Sequence, residues 1–92
     1  EGPIQSWMKI HGQSANIPTS VVEHAVDYFR EAEPKMVVAD DELKALAWLV
    51  LTCRTVGHPL TMKRLQTISG RSRQSIGRVV KAYSIYFEDS ND

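Results

Sequence analysis

The chain is predicted to fold as an all-α domain, a bundle of five helices built around a buried third helix. Three observations predict this. Apolar residues recur at helical rather than alternating spacing through most of the 92 residues. The stretch Leu43, Ala45, Leu46, Ala47, Trp48, Leu49, Val50, Leu51 and Cys53 leaves no polar face, and a helix apolar all round must be enclosed by others. Glycines, prolines and small polar residues punctuate the periodic segments where helices stop and start.

Taken in order, Ile4, Trp7, Met8 and His11 fall at i, i+3, i+4 and i+7 and mark a first helix near 4–12, closed by Gly12. A polar link follows. Ile17-Pro18 lead into a second helix near 20–33, with Ser20 as its expected cap and Glu23 completing a capping box. Val22, Ala25, Val26, Phe29 and Ala32 form its buried stripe, and Pro34 stops it. Asp40, Asp41 and Glu42 set negative charge at the positive end of the third helix, near 41–56, which Gly57 and Pro59 end. Leu46, Leu49, Val50 and Cys53 are expected inside it, with Trp48 partly so. Thr61 caps a short fourth helix near 61–69 that carries Leu65 and Ile68 and closes at Gly70. Ser72 caps the last, near 72–88, whose apolar arc is Ile76, Val79, Val80, Tyr83, Tyr86 and Phe87. Its opposite arc holds Gln74, Arg78, Lys81 and Ile85. A short helix, a glycine turn and a capped basic helix make the C-terminal half helix-turn-helix-like.

Composition narrows the function. With 42% hydrophobic and 24% charged residues the chain is an ordinary globular one, sized for one domain. The longest dense apolar run is too short to cross a membrane, and no membrane partner is expected. Cys53 has no second cysteine to pair with, which points to a reducing, intracellular compartment. A start at Glu-Gly-Pro fits a piece excised from a longer factor. The net charge of zero hides an asymmetry. Residues 1–42 carry eight acids against Lys9, Arg30 and Lys35, whereas residues 43–87 carry eight bases and no acid. An acid-free stretch of that length reads as a surface for an anionic partner. The candidate partner- or nucleic-acid-binding residues are Lys63, Arg64, Arg71, Arg73, Gln74, Arg78 and Lys81. Arg54 ends the apolar helix, where a base also suits the helix dipole. Ile85 is read as an ordinary exposed residue.

Chemistry finds little foothold. His11, His24, His58 and Cys53 lack the paired spacing of a zinc site. Cys53 on an apolar helix reads as core rather than nucleophile. Asp40, Asp41 and Glu42 read as helix-end charge rather than a metal cluster. No catalytic residues, cofactor, metal or small-molecule substrate are expected, and the chain is read as a binding module, not an enzyme.

Several segments carry a resemblance. Ala47-Trp-Leu-Val-Leu-Thr-Cys53-Arg54, Gly57-His-Pro59-Leu-Thr61-Met-Lys63, Ile68-Ser69 and Ser75-Ile76-Gly77-Arg78 with Lys81 resemble the first cyclin-like repeat of general transcription factor IIB. Ile17-Pro18 and Phe29 are similar to that repeat's second helix, so the likeness covers about residues 17–88. Where the family commonly has an acid after the lysine, this chain has Arg64. The family's zinc ribbon, polymerase-reaching linker and second repeat are not in these residues. The resemblance implies a single cyclin-like repeat over residues 1–92, with TATA-binding protein, flanking promoter DNA and RNA polymerase as partners. It implies a nuclear protein, or a cytoplasmic one if archaeal. The residues themselves support phosphate or carboxylate contacts rather than base reading, since Gln74 stands alone beside Arg78 and Lys81. Two rival readings stand beside it: a cyclin-box protein that binds a kinase, and a helix-turn-helix DNA-binding regulator.

Overall fold

The computed structural model describes residues 2–88. Its elements are all helical: α1 Pro3–Ser14, α2 Thr19–Ala32, α3 Asp41–Val56, α4 Met62–Ser69 and α5 Arg73–Tyr83, followed by a 3₁₀ turn Ser84–Tyr86. The last helix thus ends short of the expected residue 88, the chain tightening at Ser84 where its hydroxyl donates to Lys81 O at 2.8 Å. Asp89 and Asp92, part of the acidic end of the sequence, lie outside the described residues.

α3 is the central post, packed against α1, α2 and α5. Ten of its residues, Leu43 and Ala45 to Cys53, are buried, as a helix without a polar face requires. Both its ends are closed by chemistry. At the start Asp40 Oδ1 accepts the Leu43 N–H at 2.9 Å. At the end Gly57 sits at φ +77, which glycine adopts without a Cβ penalty. There the Gly57 N–H reaches Arg54 O at 3.3 Å and the His58 N–H reaches Cys53 O at 2.9 Å, the two bonds of a Schellman motif.

Trp48 is more deeply placed than the sequence predicts, being wholly enclosed. Phe29, Tyr83 and Phe87 meet it edge to face, with ring centroids 5.0, 5.3 and 4.6 Å away, the arrangement that aromatic quadrupoles favour. Its indole N–H donates to Ala25 O at 3.0 Å, so α2 and α3 are tied by a polar bond inside an apolar cluster.

Two expectations about helix ends are corrected. The Ser20 side chain caps nothing: α2 begins one residue earlier, with Pro18 at the cap position and no side-chain cap bond. Proline's fixed φ sets the entry there, and Pro18 O accepts from both Val21 and Val22. Nor does Gly12 end α1, which continues to Ser14. Gly12 is buried at the crossing of α1 and α2, where an added Cβ would lie 2.5 Å from Val22 Cγ2. Gly12→Ala should therefore destabilise the fold by about 1–2 kcal/mol, overpacking outweighing the better helix propensity of alanine. In a domain of this size that lowers the melting temperature by roughly 5–10 °C. A variant melting with the wild type would mean the two helices separate without cost.

Candidate functional site

The candidate residues fall on α4, α5 and the three residues between them. Thr61 Oγ1 accepts the Arg64 N–H at 3.0 Å and starts α4. Gly70, at φ +73, closes it by donating to Gln66 O at 2.8 Å. Ser72 Oγ then accepts the Ser75 N–H at 3.1 Å and starts α5. Leu65, Ile76, Val79, Val80 and Tyr83 are buried and hold the pair of helices to the bundle. That inward stripe leaves Gln74, Arg78 and Lys81 exposed on the outer arc of α5, with Ile85 exposed in the 3₁₀ turn beyond it.

The seven candidates do not form one uniform patch. Lys63, Arg73 and Lys81 are exposed and make no ion pair among the described residues, and Gln74 is exposed beside them. Arg64 lies across the bundle toward α1, its guanidinium donating to Ser14 O at 3.1 Å, where the carbonyl end of a helix favours a cation. Arg78 donates to Val38 O at 2.9 Å and so holds the α2–α3 segment against α5 while its surface stays open.

Arg71 is engaged inside the fold. Its Nη2 meets Asp40 Oδ2 at 2.7 Å and its Nη1 meets Asp40 Oδ1 at 3.1 Å and Glu42 Oε1 at 2.9 Å. Glu42 Oε2 in turn accepts from His11 Nε2 at 2.8 Å; a carboxylate can only accept here, so Nε2 carries the hydrogen. The ring of His11 stacks on Trp7 at 5.2 Å. One chain of contacts therefore joins α1, the start of α3 and the α4–α5 turn. The paired guanidinium donors hold the Asp40 carboxyl below its ordinary value, aided by the Leu43 N–H, and Asp40 and Glu42 push the pKa of Arg71 up. Part of the charge asymmetry seen in the sequence is thus neutralised within the molecule. Sequence reasoning took Asp40 and Glu42 as helix-end charge and His11 as one more residue of an apolar face. The pairings of Arg71 with Asp40 and Glu42 and of His11 with Glu42 span 29 to 31 positions, and no local pattern announces them.

Elsewhere the chemistry is quiet. Cys53 is buried, and desolvation pushes its thiol up to about 11. An open cleft of about 720 Å³ lies between α2, the end of α3 and the 3₁₀ turn, walled by Tyr28, Leu51 and Phe87 with Arg54 and His24 at its edge. Among the described residues no group of three His, Cys, Asp or Glu could hold a metal ion. No described helix is long and apolar enough to cross a membrane. Compared with protein-family models, curated proteins and solved structures, the chain matches none.

Proposed function

We propose that this domain is a transcription-initiation module of the factor IIB type, a cyclin-like repeat that docks on TATA-binding protein, the promoter DNA backbone and RNA polymerase. It works by holding partners, not by catalysis. The observation that carries the reading is the outer face of α4 and α5, where Lys63, Arg73, Arg78 and Lys81 stand exposed without an acid in residues 43–87 to answer them. The central third helix, packed against α1, α2 and α5, suits such a repeat, and the quoted segments between Ala47 and Lys81 supply the likeness.

The test is a mobility shift with a TATA-containing duplex, with and without TATA-binding protein. The domain alone should bind weakly, at roughly 10⁻⁴ to 10⁻⁶ M near physiological salt, because phosphate pairing is all that its bases offer. With TATA-binding protein present it should join a ternary complex that then recruits polymerase. Arg78→Glu with Lys81→Glu should cost about 1 kcal/mol of stability, since Arg78 gives up its exposed bond to Val38 O while the charges themselves add little. It should weaken ternary assembly by roughly a hundredfold, as like charges across an interface cost several kcal/mol. Arg30→Glu on α2 is the control. If the double variant assembles as well as wild type, the basic face is merely solvated and this reading fails.

A second reading has one observation in its favour. Arg73 and Gln74 are exposed in the first turn of α5, the part of a recognition helix that meets base edges in helix-turn-helix proteins. Tight, sequence-selective binding by the domain alone would favour that regulator instead.

A further inference from the structure

Gly77 lacks a side chain for no reason found inside the fold. Gly57 and Gly70 sit at positive φ where helices close, and at Gly12 an added Cβ would lie 2.5 Å from Val22. Gly77 instead stands in the middle of α5, and an added Cβ there would meet nothing within 4 Å. Glycine in a helix interior is less favourable than alanine. The position therefore gives up stability, and no described residue uses the space.

Its neighbours along the helix are cations. Arg73, Gly77 and Lys81 follow at i, i+4 and i+8 and form one line along α5. Both bases are exposed, and the eight helical steps between them span about 12 Å. The line is thus a bare stretch of backbone with a base on either side. Arg73 stands in the first turn, where the positive end of the helix dipole also favours an anion. No acid answers either base among the described residues: Asp40 and Glu42 hold Arg71, and Glu33, Asp41 and Glu88 pair with neither. Gln74, exposed beside the line, adds amide donors. None of these four residues carries an apolar side chain. A protein interface is built round an apolar core depleted in lysine, whereas phosphates call for cations, polar donors and open backbone. One strand of duplex carries a phosphate per about 3.4 Å of axis, so a length of about 12 Å meets three or four of them.

We infer, resting on the DNA-docking part of the proposed function, that a nucleic-acid strand runs along α5 over Gly77 with its phosphates held by Arg73 and Lys81. The bare backbone at Gly77 lets the sugar-phosphate chain approach the helix closely enough for both flanking bases to reach it. Of the three proposed partners, DNA is the one that covers this line.

The experiment uses the whole 92-residue chain, a fluorescent duplex of about 15 base pairs, long enough to cover the line, and a peptide of about ten glutamates of comparable reach. Gly77→Ala and Gly77→Gln should both melt above wild type, by roughly 3–8 °C, because each is a better helix former with room for its Cβ. Both should nevertheless bind the duplex more weakly, Gly77→Gln by about tenfold, as the new side chain pushes the strand off the helix. A glycine with a purely structural role would move the melting temperature alone. Arg73→Gln and Lys81→Gln should each reduce the slope of log K against log salt by about 0.9. Unchanged duplex binding in Gly77→Gln, an unchanged slope in both charge variants, or a glutamate peptide bound as tightly as the duplex with the same dependence on Gly77 would each overturn the inference. If Gly77→Gln keeps duplex binding while Arg78→Glu with Lys81→Glu still blocks ternary assembly, the strand lies elsewhere and the initiation-factor reading stands. Weaker duplex binding in Gly77→Gln, with no ternary complex formed by wild type, would mean the reverse.

Discussion

Trp48→Ala is expected to remove about 4–5 kcal/mol of stability, the upper part of the range for a buried tryptophan. The ring is wholly buried and touches Tyr28, Phe29, Tyr83, Tyr86 and Phe87, so its loss opens a cavity that α2, α3, α5 and the 3₁₀ turn all line. Edge-to-face pairs add roughly 0.5–1.5 kcal/mol each beyond burial, and they vanish together. The Ala25 carbonyl loses its indole donor, yet it lies within α2 and keeps its helical bond, so no acceptor is stranded. A domain of this length holds about 5–14 kcal/mol in all, and the change takes a large share of it. In urea the midpoint should fall by at least about 2 M, given a slope near 1–2 kcal/mol per molar. Far-UV circular dichroism reads it without relying on the lost chromophore. A loss under 1 kcal/mol would mean that the aromatic cluster is not the centre of the core.

Arg71→Met should cost about 2–3 kcal/mol, more than a surface residue and less than a fully buried ion. The guanidinium side chain is 29% exposed and Glu42 only 18%, so Glu42 loses its cation where water reaches it poorly. Asp40, at 54%, is partly rescued by solvent, which holds the figure below that of a dry pair. Asp40→Asn keeps an oxygen to cap α3 and should lose about 1 kcal/mol or less. Acidity gives the second readout. The carboxyl of Asp40 is held below its ordinary 3.8, so its contribution is complete above that pH and is lost as pH falls through the lower folded value. Wild type should therefore lose stability below about pH 4, and the gap to Arg71→Met should narrow there. A gap that stays constant from pH 7 to pH 2 would show that Arg71 acts by packing and not by pairing.

The same pairing changes how the basic stretch is to be read. Eight bases without an acid across residues 43–87 suggest one continuous surface. Folding divides them: Arg71 pairs with Asp40 and Glu42, Arg64 binds the end of α1, and Arg78 secures the α2–α3 segment. The exposed remainder on α4 and α5 is Lys63, Arg73 and Lys81 with the open side of Arg78, and that group carries the docking proposal.

Helix existence, order and the central place of α3 were legible in the 92 residues because they rest on local signals. A segment apolar on all sides needs enclosure wherever the others lie. Thr61, Ser72, Gly57 and Gly70 act within three or four positions of themselves, and each caps as its residue type predicts. What the tertiary structure alone decided has the opposite character. Gly12 looks like a helix terminator until α2 brings Val22 against it. Arg71 looks like one more surface base until the fold sets the start of α3 beside it. Met36 and Val38, in a proline-led link between two acidic stretches, gave no periodic signal; their exposure depends on where α5 holds the backbone. Hydrophobic periodicity and capping are encoded in neighbouring residues, whereas ion pairing and close approach depend on distances that exist only once the helices have packed.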